Sequence, residues 1–187
     1  MTDNGAQAGA GAAAPLTDTA RARLLMACAA CDLADLARAA VPVGAHEMNP
    51  DGTSREPGAV LTDAARVLAA AHRYLEAAAV YERVGGADWR LVGDILNVSP
   101  RVARVRFAPA EAVLRAELRS PDDADGLRAH ILAEPQETAL DLDDWVRRHQ
   151  DGDVGLGTAP VSGGLLPSEP VAGPGREKGR PRAARPV

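Results

Sequence analysis

Apolar side chains recur at three- and four-residue intervals through most of the chain, and that spacing predicts helices. Leu24, Leu25, Cys28, Leu33 and Leu36 give a broad apolar face from Thr17 to about Ala40, capped by Thr17 or Thr19 and stopped near Pro42 and Gly44. A second helix is expected from Thr62 to Val84, closed by Gly85-Gly86. Its stripe of Ala65, Leu68, Ala69, His72, Leu75, Ala79 and Val80 should pack on the two helices that follow. Those two share the stretch Asp88 to Phe107, DWRLVGDILNVSPRVARVRF. Ser99 is a good N-cap and Pro100 suits the first helical position, where its missing N–H costs nothing. Asn97 tolerates the left-handed conformation that a sharp helix–helix turn needs. Val92, Ile95, Leu96, Val98, Ala103 and Phe107 supply an apolar interior.

Beyond this pair, Ala108-Pro109 should end the helix, with a short continuation from Ala110 to Leu118. Ser120-Pro121 repeats the cap-then-proline signature and should start a helix to about Ala133, which Pro135 breaks. Another is expected from about Leu140 to His149, with Leu142, Trp145 and Val146 as its apolar edge. The expected fold is all-α, built as a three-helix helix-turn-helix unit with flanking helices. The expected organisation is a disordered tail (1–15), an N-terminal helix (16–41), a polar linker (42–60), the helix-turn-helix unit (61–118), an acidic helical pair (119–150) and a disordered Gly/Pro-rich tail (151–187).

The Asp88–Phe107 stretch is similar to the helix-turn-helix of homeodomain-like and sigma-region-4-like regulators. It most resembles the pattern common in GC-rich actinobacteria, where a tryptophan opens the second helix and a Gly-Val-Ser turn leads to a third ending Arg-Phe. Trp89, Val98, Ser99, Ala103, Arg106 and Phe107 fit that pattern, and Gly93 takes the small-residue position where the helices cross. Asn97 stands where the turn glycine is usual, and Pro100-Arg101 stands where Arg-Gln is usual. The second change removes a glutamine that could pair with adenine, so the sequence preference must differ. The resemblance covers roughly residues 61–118 and implies a DNA-binding transcriptional regulator acting on double-stranded DNA.

Successive helical residues rotate by about 100°, which sets Arg101, Arg104, Val105 and Ala108 opposite Ala103 and Phe107. With the second set buried, the first is presented where such helices enter the major groove. Arg101 and Arg104 can pair with guanine or phosphate, and Arg90 can contact phosphate. Arg106 falls nearer the core, its stem packed and its charge reaching out. The expected DNA-contacting set is Arg90, Ser99, Pro100, Arg101, Arg104 and Val105. A single unit touches few base pairs, so specificity would call for a homodimer or a partner such as RNA polymerase. The N-terminal helix and the Trp145 helix are the apolar surfaces expected to serve. The alternative is a non-catalytic protein–protein interaction module, using the same scaffold and the acidic C-terminal helices.

Charge qualifies this picture. The net charge is −5, but it divides as −3 over residues 1–59, +2 over 60–119, −7 over 120–154 and +3 over 155–187. The middle is mildly basic beside a strongly acidic neighbour, so DNA affinity depends on the arginines sharing one face. Only five aromatic side chains occur, leaving Ala, Leu and Val to make the core, which favours helices. No secretory leader pattern and no apolar stretch of membrane-spanning length is visible, so a cytoplasmic protein without membrane contact is expected.

Other chemistry finds little support. Cys28 and Cys31 form a C-x-x-C in mid-helix, with His46 the only further ligand in view, and are read as buried reduced thiols. Asp122, Asp123, Asp125 and Gly126 hint at a calcium loop, but Pro121 and Leu132 would fall on its first and twelfth ligand positions. His46, His72, His130 and His149 are scattered, and no nucleophile pattern, P-loop or dinucleotide fingerprint occurs. No enzyme, metal or cofactor is expected.

Overall fold

A computed structural model describes residues 16–120, 124, 126–150 and 155–165. Both tails called disordered from sequence lie largely outside these residues, as do Pro121, Asp122, Asp123 and Asp125. The fold is all-α: α1 (Asp18–Ala39), α2 (Ala59–Val84), α3 (Trp89–Leu96), α4 (Pro100–Arg119), α5 (Gly126–Ala133), α6 (Pro135–His149) and α7 (Ser162–Leu165). Among the described residues the only extended pairing is an isolated bridge between Met48 and Ser54, in the α1–α2 connection.

α1 begins where Thr17 accepts a hydrogen bond from the Ala20 amide at 3.1 Å. It runs antiparallel to α2, so that Thr19 meets Gly85 at one end and Leu36 lies near Asp63 at the other. α2 starts one turn before Thr62, because Gly58 adopts a left-handed φ of 97° and its carbonyl accepts the Thr62 amide. It ends at the predicted glycines, Gly86 taking φ 103°.

Three sequence expectations are corrected beyond this point. α4 does not end at Ala108-Pro109: it runs unbroken to Arg119 with Pro109 inside it. The missing amide costs one backbone bond, and the burial of Phe107, Glu111 and Leu114 on both sides of the proline holds the helix together. Ser120 caps the C-terminus of α4, donating its amide to Ala116, rather than starting the next helix. Pro135 opens α6 instead of only closing α5, as its fixed φ permits at a first helical position.

The core falls into two clusters. The larger one joins Leu24, Leu25, Val80, Leu114, Leu132 and Leu142, so α1, α2, α4, α5 and α6 all contribute. The smaller is made by Ala79, Val92, Ala103 and Phe107, with Leu75, Trp89 and Leu96 packed around it, and holds α2, α3 and α4 together. Residues 155–165 are not a detached tail. Val161 and Leu165 pack on the larger cluster, and buried Asp143 accepts hydrogen bonds from the Val161 amide at 2.6 Å, the Ser162 amide at 3.0 Å and the Ser162 hydroxyl.

Candidate nucleic-acid interface

The turn between α3 and α4 has the local chemistry its residues demand. Asp88 caps α3 by accepting the Leu91 amide at 2.8 Å. Asn97 closes it at φ 53°, ψ 44°, alone among the described non-glycine residues in having positive φ. Ser99 then accepts the Val102 amide at 3.3 Å and Pro100 begins α4. Gly93 is buried because the turn folds back on it: a Cβ there would lie 2.7 Å from the Val98 carbonyl oxygen and 3.1 Å from the Pro100 nitrogen. The small residue is therefore required by the turn backbone rather than by a helix crossing.

Behind this turn, Ala103 and Phe107 are fully buried against Val92 and Ala79. A polar brace joins the unit to α2. The Arg83 guanidinium stacks 4.3 Å from the Trp89 ring, donates to the Ala87 carbonyl and pairs with Glu111 at 3.1 Å. Arg115 pairs with the same carboxylate at 2.9 Å. Burial pushes the Glu111 carboxyl up, but the Arg115 and Arg83 hydrogen bonds outweigh it and hold the group below its ordinary range.

Anchored on that side, α4 presents the other to solvent. Ser99, Pro100, Arg101, Arg104 and Val105 are all exposed, Val105 to 73%. Among the described residues, the Arg101 and Arg104 guanidiniums make no ion pair. Arg106 is exposed too, its guanidinium 5.0 Å from the Phe107 ring. Arg90 touches Asp94 at 4.0 Å with both side chains largely exposed, a pair that competes little with a phosphate. The C-terminal helices sit elsewhere: α5 is tied to the last turns of α4 by Arg128–Glu117, and the acidic α6 to α1 by the Trp145 indole donating to Asp35 at 3.2 Å. From Glu117 back to Arg101 is roughly 24 Å of helix, so the first turns of α4 are left open.

One expectation fails here. Ile95 and Val98 are not interior: they are 68% and 39% exposed, and with Leu91 (48%) and Val102 (51%) they bring aliphatic surface to the outside of the unit. Counting apolar residues found them; the periodicity of so short a helix could not say which side meets the core. Part of the α1 face is used within the molecule, where Leu24 and Leu25 share the larger core with Leu142 of α6, and the Trp145 indole donates to Asp35.

Cys28 and Cys31 are half-buried free thiols. Burial, with neighbouring carboxylates, pushes both up to about 11, so the reactive thiolate is scarce at neutral pH. No group of three or more potential metal ligands occurs among the described residues, and none of the helices described is long and apolar enough to cross a membrane. Compared with family models, with curated proteins and with solved structures, the chain matches none.

Proposed function

We propose that the chain is a sequence-dependent DNA-binding protein, a transcriptional regulator that lays the first turns of α4 in the major groove. The observation that carries this is a pair of unpaired guanidiniums, Arg101 and Arg104, on the open side of a capped helix whose opposite side is locked by Ala103 and Phe107. Arg101 and Arg104 read guanine edges or hold phosphate, Val105 offers an apolar contact to a thymine methyl, and Arg90 fixes register on the backbone. Ser99 serves by capping α4, since its hydroxyl is engaged by the Val102 amide. The wider specificity comes from a second copy or from a partner such as RNA polymerase. Double charge reversal tests it: Arg101→Glu with Arg104→Glu weakens retention on DNA by at least ~100-fold, with an unchanged circular dichroism spectrum. Undiminished retention would end the proposal.

A second reading is favoured by the exposed Leu91, Ile95, Val98 and Val102. Aliphatic side chains gain nothing against phosphate but do against a protein, so the same scaffold would serve as an interaction module, with the acidic helices meeting a basic partner. A chain that ignores DNA at low salt and co-purifies stoichiometrically with one partner fits this second reading and excludes the first.

A further inference from the structure

The first half of α2 has a bare apolar face. At about 100° per residue, Leu61, Ala65, Leu68 and His72 fall in one arc, opposite Asp63 and buried Ala70 on the side toward α1. Leu75 and Ala79 continue the arc, and there it is filled by Val92, Ala103 and Phe107 of the helix-turn-helix unit. Earlier in α2 it is open: Leu61 is 74% exposed and Leu68 57%, with Ala65, Ala69 and His72 exposed beside them. The stripe expected to pack on α3 and α4 therefore does so only at Leu75 and Ala79, while Val80 joins the larger cluster instead.

Its composition specifies what can cover it. Leucine recurs every seventh residue at Leu61, Leu68 and Leu75, with Ala64, Ala71 and Ala78 between. That is the seam of a helix that pairs with another helix, small residues alternating with large so that the backbones approach closely. Asp63, Arg66 and Arg73 lie off the arc, so a copy of the seam meets it without like-charge repulsion. The two longer segments outside the described residues lack the composition for this place. Residues 1–15 contain no Leu, Ile, Val or Phe, and residues 166–187 carry five prolines, too many for a partner helix.

We propose that this face is a dimerisation surface and that its occupant is the same face of a second copy, in an isologous antiparallel contact. The direction follows from sterics. A parallel pairing would bring the partner's α3 and α4 onto the part of the arc that α3 and α4 already fill. The contact spans about two heptads, roughly 17 Å from Leu61 to His72. That is small for a protein interface, so the association falls in the micromolar range. The dimer does not rest on the DNA reading. Where both hold, an antiparallel pair centred between Ala65 and Leu68 sets the two Ala79 positions roughly 38 Å apart, close to one turn between half-sites.

Sedimentation velocity on the full chain, from about 1 to 200 µM, tests the proposal. The mass rises from 19.4 kDa to twice that value. Leu61→Glu with Leu68→Glu, both at exposed positions, keeps the helical spectrum and weakens self-association at least ~100-fold. The Arg101→Glu, Arg104→Glu protein dimerises like wild type, so failure of DNA binding and failure of dimerisation are read separately. A wild-type chain that stays monomeric throughout overturns the proposal. Self-association that persists in the Leu61→Glu, Leu68→Glu protein does so too.

Discussion

Gly93 and Asn97 carry more of the geometry of the α3–α4 turn than the larger residues around them. Gly93 lets the turn pass so close that any Cβ would press on the Val98 carbonyl, and backbone cannot swing aside as a side chain can. Gly93→Ala is expected to destabilise the fold by about 1–3 kcal/mol, read as a lower melting temperature. A melting temperature equal to wild type would mean that the turn relaxes freely. Asn97 is exposed and needs only a left-handed backbone, so glycine there should be tolerated while a β-branched residue should not. The exposed Arg101 and Arg104 contribute little to stability. Their removal and that of Gly93 should therefore separate binding from folding.

Among the elements, α6 and the segment carrying α7 show how one buried carboxylate organises a stretch that lacks periodicity. Asp143 is 2% exposed. Burial alone would raise its pKa, but the Ser162 hydroxyl and the amides of Val161 and Ser162 outweigh it, and the group is held below its ordinary range. A carboxyl lowered in the folded state contributes stability above its unfolded pKa and loses it as pH falls through the folded one. The docked segment should therefore be unaffected by acidification until pH drops below about 4. Asp143→Asn keeps an oxygen for the two amides, but it loses the charge that strengthens those bonds and sets an NH2 where the Ser162 hydroxyl donates, which is expected to cost about 1–3 kcal/mol. Hydrogen exchange at the Val161 and Ser162 amides should then speed up at neutral pH, while the α3–α4 amides keep wild-type rates. Equal protection in both proteins would show that Val161 and Leu165 packing suffices.

Over the whole molecule, charge and core divide along the same line. The small cluster under Phe107 belongs to the mildly basic stretch 60–119, and α6, with Glu137, Asp141, Asp143 and Asp144, packs on α1. That separation allows a chain of net charge −5 to offer arginines to an anion. With Arg90, Arg101 and Arg104 as the phosphate-facing groups, log affinity for duplex DNA should fall with log salt at a slope of about −2 to −3 per protomer. A flat response between low and moderate salt would favour the protein-partner reading instead.

Local signals alone determined the helical class, the caps at Ser99 and Gly86, the left-handed Asn97 and the outward side of α4, because each depends on residues within one or two turns. The bounds of α4 and α6 escaped them, since a proline reads as a break unless burial on both sides outweighs its missing bond. Only tertiary structure decided which apolar residues are core. The same α2 stripe is buried at Ala79 and open at Leu61, and Ile95 faces out while Val92 faces in. Burial is set by what lies opposite a side chain in space, and periodicity along one helix cannot say where its partners stop.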